Sequence, residues 1–234
     1  DIYSPQGKLL EFNMQEVTIP GRSTDTVRFT PFIYGTNANK WEPGAKNPPL
    51  YKVMLFTRRD GAYREYMPLK IGFGKTELVD GRLTRFDKEL KLVKAGYNAA
   101  ADRKTTLAEL KALKAKGNNT ICPDYPQPGW FYDLCDELGL YVIDCANINA
   151  PEKRDDRKVG GTPSNDPSLA DEYLERVKAM YYRSRNHSCV IAFALGGESG
   201  NGYNMYKAYE WLKSVEKSRP VIYTDADGEW NSDL

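Results

Sequence analysis

Short segments of alternating apolar and polar residues fill the opening part of the chain. Lys8–Phe12, Glu16–Ile19, Thr26–Phe29, Tyr51–Thr57 and Tyr63–Phe73 each alternate in this way. Turn-forming residues separate them at Pro20-Gly21, at Asp60-Gly61 and across the Pro43–Pro49 stretch. A period of two places successive side chains on opposite faces of a strand. Short strands punctuated by Gly and Pro predict an all-β, immunoglobulin-like sandwich portion over residues 1–75. Within it, Tyr51–Thr57 and Tyr63–Met67, joined through Arg59-Asp60-Gly61, form the clearest hairpin.

Beyond Asp80-Gly81 the period changes. Leu90–Val93 is a short apolar run that reads as a buried strand. Thr106 with Glu109 gives a T-x-x-E capping box, which opens a helix carrying Leu107, Leu110 and Leu113 on one face and ending at Gly117. A strand at Thr120–Cys122 precedes a helix at Trp130–Leu138, which stops at Gly139. The apolar run Leu140–Ala146 follows as a strand, and Asp166-Pro167 caps a long helix reaching about Arg185. Val190–Leu195, Tyr203–Val215 and Val221–Tyr223 continue as strand, helix and strand. Strands alternating with helices predict parallel pairing with right-handed crossovers. Residues 76–234 therefore read as α/β, either a partial (β/α)8 TIM barrel or a doubly wound sheet. No G-x-G-x-x-G follows a strand, so the dinucleotide-binding version lacks its fingerprint.

Composition narrows the function. Basic and acidic residues nearly cancel, 33 against 32, for a net charge of +1. This leaves no electrostatic footprint for nucleic acid or an anionic membrane, and no apolar run has the length of a membrane span. The four cysteines, Cys122, Cys135, Cys145 and Cys189, form no CxxC pair and no zinc spacing, so they read as small buried hydrophobes. The charged run Lys153–Lys158 reads as a solvated loop. Asp1 is not an initiator Met and no leader pattern follows, which suggests a piece of a longer chain.

Two stretches carry a family resemblance. Trp130–Asn149 reads WFYDLCDELGLYVIDCANIN, which resembles the W-x-Y-x-L-C-D-x-x-G-L-Y-V-I-D-E-A-N-I-E pattern of glycoside hydrolase family 2 galactosidases. Arg185–Gly200 reads RNHSCVIAFALGGESG, similar to the family's R-N-H-P-x-V-I-x-W-S-L-G-N-E-S-G. Trp211–Tyr223 and the stretch from 45 to 76, ending IGFGKTE, resemble the same family in the same order. The resemblance implies a β-sandwich end followed by the first part of a catalytic TIM barrel. It also implies a retaining β-galactosidase-type hydrolysis of O-glycosidic bonds, with Glu198 as acid/base. Retaining hydrolysis needs a second carboxylate about 5–5.5 Å away as nucleophile. In the family that residue is a Glu on a later barrel strand, and no segment here matches it.

The same resemblance marks departures at functional positions. Gly197 stands where the family has an Asn that binds the sugar 2-hydroxyl. Asp124, in PDYP, stands for a transition-state His, and Cys145 stands for the first Glu of D-E-A-N-I-E. The family's magnesium-binding Glu and the His ligand two residues on are Asn149 and Pro151, so no metal cofactor is expected. His187, the sole histidine, belongs to the R-N-H turn. Gly197, Asp124, Tyr125, Asn147 and Trp230 are the expected substrate-binding positions around Glu198. Asp144, Asp225, Asp227 and Glu229 are further acids that match no family nucleophile.

The expected partner is a β-galactoside-like carbohydrate. An alternative is a non-catalytic carbohydrate-binding or structural module on a degenerate glycosidase scaffold, with sugar stacked near Trp130, Tyr125, Tyr203 and Trp230. A five-strand arc leaves two unpaired edges, which favours homo-oligomer contacts. The compartment is not legible in the sequence, and the resemblance is compatible with a periplasmic or secreted parent.

Overall fold

The computed structural model describes residues 1–44 and 47–234; Ala45 and Lys46, within the Pro43–Pro49 turn and at the start of the 45–76 resemblance, lie outside the described residues. Two compact units emerge, residues 1–41 with 49–73, and residues 42–48 with 74–234.

The first unit is one antiparallel sheet in the order β2-β1-β3-β4, built from Ile2–Tyr3 (β1), Leu9–Glu11 (β2), Tyr51–Arg59 (β3) and Ala62–Ile71 (β4). The β3–β4 hairpin turns on Asp60 and Gly61, whose φ values of 52° and 75° suit a two-residue primed turn. Pro68 is tolerated because β4 is an edge strand with no ladder to feed on its outer side. Glu16–Ile19 and Thr26–Phe29 are not strands: they run as exposed chain without ladder partners. Alternation supplies a strand's faces but not the neighbour that must receive its N–H and C=O groups. Among the described residues this unit shows one sheet.

The second unit opens with an antiparallel three-stranded sheet that the sequence reading missed: Thr76–Val79 (β5), Arg82–Arg85 (β6) and Lys88–Glu89 (β7). The first parallel strand is Lys94–Gly96 (β8), downstream of the expected Leu90–Val93. Val93 instead bonds to Asn119 just before the next strand. Thr120–Cys122 (β9), Tyr141–Cys145 (β10), Val190–Ala194 (β11) and Val221–Ile222 (β12) complete a sheet in the order β12-β11-β10-β9-β8. All its ladders are parallel. Sequential order is an arc of a barrel. A doubly wound sheet would reverse order at its switch point.

Arg103–Ala115 (α1), Gly129–Leu138 (α2), Ala170–Ser184 (α3) and Tyr203–Val215 (α4) connect these strands. The expected Thr106 cap is corrected: Asp102 caps α1, its Oδ1 accepting the Thr105 N–H at 2.9 Å, while Thr106 is buried inside the helix. Asp166 accepts the Ser168 N–H at 3.0 Å and opens a short 3-10 turn, Pro167–Leu169, that leads into α3. Strand β10 is buried along its whole length, and Phe131, Leu134, Val177, Met180, Met205 and Leu212 of the helices pack away from water. Each such side chain contributes about 1.5–3 kcal/mol on burial.

The edge strand β12 is not left open. The chain folds back along it: Asp233 N–H donates to the Val221 carbonyl at 2.8 Å, and Val221 N–H donates to Asp233 Oδ2 at 2.7 Å. Among the described residues, no helix is long and apolar enough to cross a membrane.

Candidate active site

Because the five strands run parallel, the loops that follow them leave from one end of the arc. Glu198 sits on the loop after β11, Asp124 and Tyr125 on the loop after β9, Asn147 on the loop after β10, and Trp230 beyond β12. This is the end on which barrel active sites form.

The Glu198 loop is fastened from several sides. Gly197 N–H donates to the Ile148 carbonyl at 2.8 Å, and Ala150 N–H donates to the Glu198 carbonyl at 3.1 Å. The buried hydroxyls of Thr162 and Ser164 both donate to the Ser199 carbonyl at 2.8 Å. The buried Tyr223 hydroxyl donates to the Gly200 carbonyl. Gly200 has φ of 67°, and a Cβ there would lie 2.3 Å from the Arg154 carbonyl oxygen, so no other residue fits without a shift.

Asp225 is the anchor of this loop. Its Oδ2 accepts the Ser199 N–H at 2.8 Å and the Gly200 N–H at 2.7 Å. Its Oδ1 accepts from Arg154 Nη2 at 2.8 Å, and the carboxylate is only 5% exposed. The other arm of the guanidinium, Nη1, lies 3.0 Å from Glu198 Oε2. The Glu198 side chain is otherwise open to solvent, 69% exposed.

Lys153–Lys158 is a turn-rich loop exposed at every position but Arg154, as expected, and two of its charges are engaged. Arg154 joins Asp225 and Glu198, and Arg157 pairs with Glu229. The acids that receive them lie far along the chain, 71 residues on for Asp225, so no local pattern reveals the pairing.

The other expected positions have separate surroundings. Asp124 Oδ2 accepts from Asn98 Nδ2 at 2.8 Å, and its N–H donates to Asn98 Oδ1 at 3.0 Å, which ties the β8 and β9 loops together. Tyr125 is half-exposed, and its carbonyl accepts from Gln127 Nε2 at 2.6 Å. Asn147 is exposed, with its carbonyl taking Arg176 Nη1 at 2.8 Å. Trp230 stacks on Tyr206 of α4 at 5.2 Å between centroids and meets Tyr209 edge-on. The structure groups Glu198 with Gly197, Arg154 and Asp225, while the hydrogen bonds and ring contacts of Asp124, Tyr125, Asn147 and Trp230 described above run to other residues. A shallow cavity of about 290 Å³ lies elsewhere, lined by residues including Leu78, Lys217 and Pro220.

The remaining acids have structural tasks. Asp144 accepts from the Tyr132 hydroxyl of α2 at 2.7 Å, and burial lifts its carboxyl above the usual range. Glu229 is held by the Tyr206 hydroxyl and Arg157, which lower its carboxyl. Asp227 occupies a left-handed turn with φ of 50°. Burial pushes the Cys145 thiol up to about 12, so it is protonated and inert at neutral pH. Asp133, Asp136 and His187 bring ligand-type atoms within 4.8 Å of one another. Asp136, however, already accepts the Cys189 N–H at 2.7 Å and meets His187 Nδ1 at 2.8 Å, a fastening of α2 to the turn before β11.

The family model described as Glycosyl hydrolases family 2, TIM barrel domain, matches residues 97–233. The chain belongs to glycosyl hydrolase family 2. A β-galactosidase of Vibrio cholerae is 34% identical over 187 residues, 75% of this chain and 18% of that protein. A β-galactosidase of Lactococcus lactis is 36% identical over 196 residues, 77% of this chain and 18% of that protein. The chain thus spans about 18% of the length of the curated relatives it matches. Among solved structures, the β-glucuronidase of Parabacteroides merdae aligns over 95% of this chain and 29% of its own, with TM-score 0.71 and 19% identity. That of Ruminococcus gnavus covers 82% of this chain and 35% of its own, with TM-score 0.68 and 19% identity. At such identity these two establish the fold.

Within this glycosyl hydrolase family 2 chain, two of the positions that depart from the galactosidase pattern, Gly197 and Asn149, lie beside the Glu198 loop. Gly197 is free of a positive φ, and a Cβ there would stand 3.2 Å from Asn149 Oδ1. Asn149 and Pro151 offer one neutral amide and no second donor side chain. A hard divalent cation prefers carboxylate and water oxygens, so these residues do not fit one.

Proposed function

We propose that this chain supplies the acid/base half of a retaining β-glycosidase site, with a β-galactoside as the leading substrate. One observation carries the reading: Glu198 presents an exposed carboxylate on the loop after β11, at the end of a consecutively ordered parallel arc from which its neighbours' loops also leave. The relatives named β-galactosidase support the choice of sugar.

In this reading Glu198 donates a proton to the departing glycosidic oxygen, and then takes one from the water that releases the sugar. The nucleophile is a second carboxylate from a later barrel strand. Asp225 does not serve, because both its oxygens are committed to Arg154 and to two backbone amides. Asp124, Tyr125, Asn147, Gly197 and Trp230 line the sugar's approach, and Trp230 offers an exposed aromatic face. We read the β1–β4 sheet as one layer of an immunoglobulin-like sandwich over residues 1–75, ahead of the barrel portion at 76–234. The exposed apolar side chains of Phe12, Met14, Val17 and Ile19 support a second layer. Homo-oligomer contacts and a periplasmic or secreted setting belong to the same reading.

The test is a panel of chromogenic β-galactoside, β-glucuronide and β-mannoside. Residues 1–234 alone are expected to turn over none of them, because one carboxylate cannot complete a double displacement. A protein carrying this segment through the remaining barrel strands is expected to prefer the galactoside. Turnover by 1–234 alone, or preference for another sugar, contradicts the proposal.

A second reading is favoured by the ion pair at Glu198. A carboxylate held by a guanidinium, with Gly197 and Cys145 in place of polar groups, suits a module that binds carbohydrate without cleaving it. Calorimetric binding of galactose or lactose with no hydrolysis by the longer protein supports this alternative.

A further inference from the structure

The resemblance described above implies a magnesium-binding Glu and a His in the segment at 149–151, where this chain has Asn149, Ala150 and Pro151. The structure lays this segment directly against the Glu198 loop, through the Ala150 N–H to Glu198 carbonyl bond at 3.1 Å and the Gly197 N–H to Ile148 carbonyl bond at 2.8 Å. A turn closed by Arg154 N–H on the Pro151 carbonyl at 3.2 Å then brings the Arg154 guanidinium back over the same loop.

We propose that Arg154 is the resident cation of the Glu198 carboxylate, a positive charge built into the chain beside the segment where the resemblance implies a metal ion. The inference rests on the acid/base reading of Glu198. Arg154 is a positioning residue in it, not a proton donor.

Three features separate this arrangement from an incidental surface ion pair. The guanidinium is divided between two carboxylates, Nη1 to Glu198 at 3.0 Å and Nη2 to Asp225 at 2.8 Å. Asp225 is itself immobilised, 5% exposed and accepting two amides of the Glu198 loop. The planar fork of Arg matches two such acceptors at a fixed angle, which a free lysine-like charge would not. A divalent ion entering beside Glu198 would meet like charge at contact distance, and from the 149–151 segment would find one neutral amide side chain and no carboxylate.

The experiment has two arms on the protein. The first is calorimetric titration with magnesium chloride, together with thermal melts in magnesium and in EDTA. The expected result is no binding heat and no shift in melting temperature for the wild type. Magnesium binding to the wild type that disappears in Glu198→Gln would overturn the proposal. This arm needs no activity, so it decides the matter even if the glycosidase reading fails.

The second arm compares Arg154→Gln and Arg154→Lys on a chromogenic β-galactoside in the longer protein. Misplacing an acid/base by about an ångström costs on the order of a hundredfold in rate. Arg154→Gln is therefore expected to lower kcat by about that factor with KM changed less than about twofold. Arg154→Lys is expected to restore part of it, and EDTA to leave the wild type unchanged. Full kcat in Arg154→Gln would overturn the proposal, as would an equal loss in a Lys variant whose melting temperature matches the wild type.

Discussion

Replacing Asp225 tests how the Glu198 loop is held. The carboxylate accepts three hydrogen bonds, two from the buried Ser199 and Gly200 amides and one from Arg154. Asp225→Asn can turn its amide oxygen toward the two backbone N–H groups, but its NH2 then faces the guanidinium, donor against donor. A hydrogen bond to a charged group is worth about 1.5–3 kcal/mol, and Arg154, 37% exposed, recovers part of this in water. The expected loss is about 2 kcal/mol. Asp225→Ala also orphans the two buried amides, each costing about 1–3 kcal/mol, so its loss is roughly twice as large. Urea denaturation followed by tryptophan fluorescence reads both. Arg154→Gln should cost less in the Ala background than alone, because the partner it loses is already gone. An Asp225→Ala change within about 0.5 kcal/mol of wild type, the range of an unremarkable surface substitution, would refute the anchor.

Two other outcomes follow from the same structure. Gly200→Ala places a methyl against the Arg154 carbonyl at a φ of 67°, whereas Gly228→Ala, at a φ of 82°, meets nothing within 4 Å. The left-handed cost alone is about 1–2 kcal/mol, so Gly228→Ala should lose roughly that and Gly200→Ala distinctly more, as read by urea midpoints. Relative to wild type, Asp144→Asn should fare best at neutral pH, because it carries no charge to bury there while Oδ1 keeps the Tyr132 hydroxyl and the Cys145 N–H. Burial raises the folded Asp144 carboxyl above its ordinary 3.8, so the cost of ionising it is present at neutral pH and vanishes below the unfolded value. The gain from Asn should therefore shrink as pH falls toward 4; a gain that grows with acidity would contradict this sign.

The legible part of the molecule was its buried parallel scaffold. Leu140–Ala146 is an apolar run broken by Asp144 alone, and β10 is buried along its length. Gly139 ends α2 in a left-handed cap with φ of 65°, as its position predicts. Strand order was not legible, since both α/β arrangements share the same local pattern. Leu90–Val93 misled because its apolar run ends where pairing begins, at Lys94. Glu16–Ile19 and Thr26–Phe29 misled because alternation says nothing of a partner. Glu198 was visible through its motif alone. Arg154 and Asp225 were not, because a turn residue and a strand-end acid become a pair only after β10, β11 and β12 align.

The most direct test of the account asks whether Glu198 delivers a proton to a leaving group. A protein carrying this segment through the full barrel, with Glu198→Ala, would be compared with wild type on lactose and on dinitrophenyl β-galactoside. The dinitrophenolate departs without protonation, so the first step should be nearly unaffected, while lactose should lose roughly the 10²–10⁴-fold that general acid catalysis supplies. Equal losses on both substrates, or none on lactose, would contradict the assignment.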